Sequence, residues 1–139
     1  MQLIKDASAE KLRGAYYTPP AIASFILHWG INGGQDADIL EPSCGDGVFL
    51  ECMRDENMLF NTVTAIEYEA AEANKARTLG LHDSEVINQD FHRFCLDTDK
   101  RFDLVVGNPP FIRYQYYDPA QQKLADEIFN NAKLKRTKL

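Results

Sequence analysis

The stretch ADILEPSCGDGVFLECM, residues 37–53, joins three signals in one short run. Asp38 to Leu40 read as a short strand. Glu41 to Gly47 then form a turn with two glycines, where backbone can approach a neighbour because glycine has no Cβ. From Val48 the apolar residues recur at helical spacing. A strand, a glycine turn and a helix in that order are the opening unit of an α/β domain, so the surrounding sequence should repeat the alternation.

It does. TVTAIEYEAAEANKARTLGL (62–81) gives a strand from Val63 to Ile66 and a helix from about Ala70 to Leu79. SEVINQDF (84–91) reads as a third strand and FDLVVGNPPF (102–111) as a fourth. The mostly apolar, β-branched content of the fourth suits a sheet covered on both faces. Strands alternating with helices predict a parallel α/β sheet. Upstream, GAYYTPPAIASFILHWGI (14–31) predicts a helix with Thr18 as N-cap and proline in its first turn. Ile22, Phe25, Ile26 and Trp29 would form its apolar face, and Gly33-Gly34 would end it. Residues 1–13 read as a polar arm or short helix. Beyond Pro119 an amphipathic helix carries Leu124, Ile128 and Phe129. The sequence shows no internal repeat and no low-complexity segment.

The 139 residues are 45% hydrophobic and 26% charged, enough for one domain with a core and ordinary for a water-soluble one. No apolar run approaches the roughly 18 residues that span a bilayer, and the first residues lack signal-peptide anatomy. Cys44, Cys52 and Cys95 form no CxxC pair and no metal spacing, so a reduced cytoplasm is expected and no metal site. The net charge of −6 argues mildly against this stretch alone gripping nucleic acid. From Lys123 onward, five basic residues stand against two acidic ones. That run is either a solvated helix end or the approach to a DNA-facing region further along a longer chain.

In open parallel sheets, ligands bind beyond the carboxyl ends of the strands. The unusual residues all fall there: Glu41 to Gly47, Glu67, Asp90, and Asn108 to Phe111. Glu67 lies twenty residues past Gly47, where a carboxylate can accept both hydroxyls of a ribose. Asp90 could accept from an adenine amino group, with Phe91 as a wall or stacking residue. These features describe a slot for an adenosine. A diphosphate fits poorly, because Leu50 stands where a dinucleotide fingerprint has its third glycine and because Glu41 and Asp46 would repel a pyrophosphate. An ammonium or sulfonium would be attracted, which favours S-adenosylmethionine over NAD.

Asn108 offers a side-chain carbonyl, and the proline after it biases it away from helix. Pro109 and Pro110 carry no N–H. The turn is a stiff edge of acceptors, and Phe111 adds a ring for a planar base. Such an edge suits an NH₂ group conjugated to a ring. Acceptors on both N–H bonds, from the Asn108 amide and the Pro109 carbonyl, would push the nitrogen toward a tetrahedral shape and free its lone pair for attack on a methyl group. A duplex base must leave the stack to reach this pocket.

GAYYTPP, LEPSCGDGVFL, AIEYE, NQDF and NPPF, in that order, resemble the gamma-class N6-adenine DNA methyltransferases of restriction-modification and phage-defence systems. The resemblance covers about Gly14 to Phe111. It implies a Rossmann-like S-adenosylmethionine-dependent methyltransferase fold, with the cofactor-binding and catalytic segment over 14–118. Thr18, after Tyr16 and Tyr17, would contact the cofactor's methionine carboxylate. Glu41 and the turn from Ser43 through Cys44 and Gly45 to Gly47 would line the methionine end. Glu67 would hold the ribose, Asp90 the adenine N6, and Phe91 would pack on the ring. Asn108, Pro109, Pro110 and Phe111 would form the catalytic corner, and Arg113 and Tyr114 could meet phosphate or a neighbouring base. The family more often has tyrosine where Phe111 stands, and its domain continues through further strands and a target-recognition region. The expectation is therefore a part truncated after the fourth strand, with 119–139 leading to a remainder and the fourth strand's edge open to a second chain. Two alternatives stay open: a protein glutamine N5-methyltransferase, and a non-catalytic half that binds cofactor or docks on a partner.

Overall fold

Four parallel strands form one sheet in the order β3–β2–β1–β4 in the computed structural model, which describes residues 17–32, 36–110 and 118–135. The strands are β1 (Asp38–Glu41), β2 (Thr62–Glu67), β3 (Ser84–Asn88) and β4 (Leu104–Val105). Around them run α1 (Pro20–Ile31), α2 (Val48–Asp55), α3 (Ala70–Thr78), α4 (Phe91–Asp97) and α5 (Pro119–Asn131). The predicted strands and the helix after β2 agree to within a residue or two, apart from the third and fourth, whose ladders are shorter than the apolar runs.

The pleat sorts side chains to two faces. Ile39, Val63 and Ala65 point to a core shared with Ala23 and Leu27 of α1, Phe49, Leu50 and Met53 of α2, and Ala76 of α3. Leu40 and Ile66 point the other way, onto Phe94 of α4 with half-buried Ile87, Phe91 and Phe102. Helices therefore cover both faces, as a doubly wound sheet requires. Each fully buried Leu, Ile or Phe in these clusters contributes on the order of 1.5–3 kcal/mol.

Register fixes what each strand delivers at its carboxyl end. Glu41 pairs with Ala65, and Glu67 pairs with Asn88. β4 pairs only with β1, through Ile39–Leu104 and Leu40–Val105, and is the edge strand among the described residues. Its ladder reaches one step further, since Val106 N–H donates to Leu40 C=O at 2.9 Å.

Two expectations for α1 are corrected. Its N-cap is Pro19, with no side-chain cap bond, so Thr18 does not cap the helix. Its buried face is Ala23 and Leu27 with half-buried Ile26, whereas Ile22, Phe25 and Trp29 are exposed, Trp29 by 78%. Packing explains the phase. Small Ala23 lets the helix approach its neighbours closely, and the bulky aromatics do not fit that gap. The helix closes at Asn32, whose left-handed φ of 34° lets its N–H reach His28 C=O. Gly33, Gly34, the 1–16 arm and Phe111 with Arg113 and Tyr114 lie outside the described residues.

Candidate active site

Glu41 ends β1 and is 1% exposed. Its Oε2 has no hydrogen-bond partner among the described residues, and neither has the buried Oγ of Ser43. Burial pushes the Glu41 carboxyl up to about 8, helped by the nearby carboxylates of Glu67 and Asp46. A buried polar atom left unpaired costs about 1–3 kcal/mol. Two of them on the same turn, at Glu41 and Ser43, are open to a polar group that would complete the site.

The turn after Glu41 is tied to β2. Cys44 N–H donates to Ile66 C=O at 2.9 Å, and Gly45 N–H donates to Glu67 Oε2 at 2.8 Å. The other oxygen, Oε1, accepts from Glu69 N–H at 2.7 Å. Glu67 thus anchors the turn first, and its remaining lone pairs are what a ligand hydroxyl could use. The two glycines differ in purpose. Gly45, at φ +56°, has no described residue within 4 Å of where a Cβ would stand, which leaves room for a ligand. Gly47, at φ +100°, would place a Cβ 2.6 Å from Leu79 Cδ1. Gly47 thus also serves packing of the turn against the end of α3. The Cys44 side chain is buried in the core, and burial followed by the Glu41 and Glu67 charges raises its thiol above the usual range. Only its backbone can face a ligand.

Asp90 follows β3 and caps α4, with Oδ1 accepting from His92 N–H at 2.9 Å and Arg93 N–H at 3.2 Å. Its Oδ2 accepts from Gln121 Nε2 of α5 at 3.2 Å. Gln121 had no sequence signal, because nothing local marks a glutamine that will meet a residue 31 positions away. Phe91 is half-buried and stacks on Phe94 with ring centroids 6.4 Å apart, so one side of its ring serves the second core.

The Asn-Pro-Pro corner sits next door. Gly107 lies so close to the β1 end that a Cβ would stand 3.3 Å from Pro42 Cδ and 3.6 Å from Glu41 Cγ. Asn108 is exposed, and its Nδ2 donates to Thr18 Oγ1 at 3.3 Å. Thr18 in turn lines a 430 Å³ cavity with Tyr17, Asp46, Glu51 and Lys75. Turn, cavity and corner therefore share one rim. A larger cavity, about 640 Å³, lies at the amino ends of the strands between Asp38, Thr62, Glu85 and Lys100. Parallel-sheet chemistry is placed at the opposite ends, and none of the residues above reaches it.

This arrangement can be set beside known proteins. Residues 2–138 match the family described as N-6 DNA Methylase. The chain belongs to that family. Among its relatives, the type II methyltransferase M.CvrRI of Paramecium bursaria Chlorella virus XZ-6E is 32% identical over 121 residues, covering 80% of this chain and 30% of the relative. The type II methyltransferase M.HincII of Haemophilus influenzae is 27% identical, covering 85% and 21%. The chain thus spans under a third of these N-6 DNA Methylase relatives. The fold is shared with an RNA methyltransferase from Salinibacter ruber solved with S-adenosyl-L-homocysteine, at TM-score 0.53 and 18% identity over 83% of this chain and 70% of that one. It is also shared with a dimethyladenosine transferase from Plasmodium falciparum, at TM-score 0.54 and 20% identity over 81% and 38%. The Rossmann-like α/β methyltransferase fold expected from the strand–helix alternation is thereby established, and no helix of the described residues is long and apolar enough to cross a membrane.

Proposed function

We propose that this chain is the cofactor-binding and catalytic part of a DNA methyltransferase that moves a methyl group from S-adenosylmethionine to adenine N6. The observation that carries this reading is the hydrogen bond between Asn108 and Thr18, which joins the Asn-Pro-Pro corner to the rim of the acid-lined glycine turn. Membership of the N-6 DNA Methylase family supports the same substrate.

The residues fit the cofactor on two counts: the unpaired buried oxygens of Glu41 and Ser43, and the open space over Gly45. Bound there, the cofactor supplies an activated methyl on a sulfonium. Glu41, ionised by that positive charge, faces the methionine end, with Thr18 and Tyr17 at its carboxylate. Glu67 accepts from ribose hydroxyls while keeping Gly45 N–H, and Asp90 Oδ2 accepts from the cofactor's adenine amine. Asn108 Oδ1 and the Pro109 carbonyl accept from the target amine and localise its lone pair. Pro110 stiffens the corner, and Phe111, outside the described residues, is the ring we assign to the target base. We place this work within 14–118, with DNA as partner and a second chain or the rest of a longer protein on the β4 edge.

The test is methyl transfer by the full-length gene product, offered duplex DNA and a glutamine-bearing protein side by side. Asn108→Ala should abolish transfer to DNA and leave calorimetric affinity for S-adenosylmethionine within about twofold. Methylation of the protein alone, or equal loss of binding and transfer, would overturn the assignment.

A further inference from the structure

Asn88 closes β3 and pairs in register with Glu67, the last residue of β2. It is exposed, so burial does not hold its side chain. Hydrogen bonds do. Asn88 Nδ2 donates to Glu67 C=O at 2.8 Å and to Tyr68 C=O at 2.8 Å. Gln89 N–H donates to the same Glu67 C=O at 3.0 Å.

Successive carbonyls of an extended strand point to opposite sides. One nitrogen reaches both only where the chain has turned, and β2 ends at Glu67. The turn brings Glu69 N–H onto Glu67 Oε1 at 2.7 Å, while Oε2 takes Gly45 N–H at 2.8 Å. The clamp has a specific chemistry. A primary amide carries two donors on one nitrogen, one for each carbonyl. Aspartate there would set acceptor against acceptor, and serine offers a single proton.

We propose that Asn88 is a positioning residue for Glu67: by holding the bend at Glu67 and Tyr68, it fixes the direction in which the Glu67 carboxylate meets the ribose hydroxyls of a bound nucleoside. This rests on the function proposed above, which gives Glu67 that task. A carboxylate offers about four lone pairs. Gly45 and Glu69 take one each, so those left for hydroxyls point where the bend sends them. Without the clamp the bend slackens, and the amides of Gly45 and Glu69 lose a fixed partner. The hydroxyls must then order the carboxylate at the moment of binding, and affinity falls by that cost.

The experiment uses the full-length gene product and two probes, S-adenosylhomocysteine and its 2′,3′-dideoxy analogue. Affinities are read by calorimetry, with no methyl transfer required. Asn88→Ala should weaken S-adenosylhomocysteine about tenfold, the loss expected for about one hydrogen bond to a charged group, and leave the dideoxy analogue within about twofold. Without ligand, the backbone amides of Gly45 and Glu69 should exchange with deuterium about tenfold faster in the variant, while those of α2 keep their wild-type rates. Equal weakening of both probes, or no weakening, would overturn the positioning role. So would unchanged exchange at Gly45 and Glu69. Should Asn88→Ala not fold, Asn88→Ser keeps one donor and the same ratio of affinities is read from it. If neither folds, Asn88 holds the fold rather than the carboxylate, and the proposal fails. A wild type that does not bind S-adenosylhomocysteine would instead overturn the function itself, and the two failures are thereby told apart.

Discussion

Raising the pH from 6 to 8 should strengthen S-adenosylmethionine binding about fifty-fold, and Glu41 is the reason. Its carboxyl is fully buried and pushed up to about 8, chiefly by desolvation and then by Glu67 and Asp46. Below that pH the group is protonated, and a cation placed beside it gains little. Binding a sulfonium and an ammonium favours the carboxylate and draws its pKa back toward the ordinary value near 4.5. Binding then releases a proton, and observed affinity follows the fraction ionised in the free protein. That fraction is about 1% at pH 6, about 9% at pH 7 and about 50% at pH 8, so affinity rises about fifty-fold, or about 2.3 kcal/mol. Calorimetry in buffers of different ionisation enthalpy at pH 7 should detect about 0.9 proton released per cofactor. S-adenosylhomocysteine, which lacks the sulfonium charge, should show a shallower slope. Glu41→Gln should bind weakly with almost no slope. An affinity that is flat between pH 6 and 8 in the wild type, with no proton released, would refute both the buried neutral carboxyl and its place beside the cation.

The same residue affects folding with the opposite sign. Glu41 has a folded pKa above its unfolded value, so its contribution to stability is fully present below about 4.5 and is lost as the pH rises through about 8. The loss is on the order of 5 kcal/mol across that window. Thermal melts should therefore show Glu41→Gln more stable than wild type at pH 8 and nearly equal at pH 4.5; a variant less stable at pH 8 would contradict the burial penalty. Gly47→Ala combines a left-handed φ with a Cβ 2.6 Å from Leu79 Cδ1, and should cost about 2–4 kcal/mol in denaturant unfolding, against about 1 kcal/mol for Gly45→Ala. Similar losses at both glycines would deny the packing role. Gln121→Ala frees Asp90 Oδ2 for the cofactor's adenine and should raise cofactor affinity by about threefold to tenfold by calorimetry. Weaker binding would mean instead that Gln121 belongs to the nucleoside slot.

Local chemistry made most of the sheet legible. β1, β2 and α3 are legible because a run of aliphatic residues followed by glycine, or by an alanine-rich helix, is decided within about ten residues of chain. What failed depended on neighbours the sequence does not name. Spacing alone gives the face of α1 to its largest apolar side chains, yet the helix is seated by Ala23 and Leu27, and Phe25 and Trp29 look outward. Thr18 had the composition of a cap, but its hydroxyl was claimed by a residue far away in the chain. Glu41, Glu67 and Asp90 are picked out as acids at strand ends. Their partners are not: the turn amide on Glu67, the helix amides and Gln121 on Asp90, and, among the described residues, none on Glu41 Oε2.

The three acids divide the labour of the rim by how much of each is already committed. Glu67 spends one lone pair on each of Gly45 and Glu69, so it builds the slot before it can bind within it. Asp90 does the same for α4 with Oδ1 and holds Oδ2 against α5. Glu41 is buried beside two like charges, and its Oε2 meets no donor among the described residues. A fold that kept such a group without use would lose stability at every pH above 5 for nothing. A cation arriving at Glu41 would relieve this penalty beside Gly107, the residue before Asn108, where a Cβ would stand 3.6 Å from Glu41 Cγ. Replacing Glu41 and Asn108 together should therefore give a protein more stable than wild type at pH 8 and inert to DNA. If the double variant instead proves unstable, the two residues hold the fold rather than the chemistry.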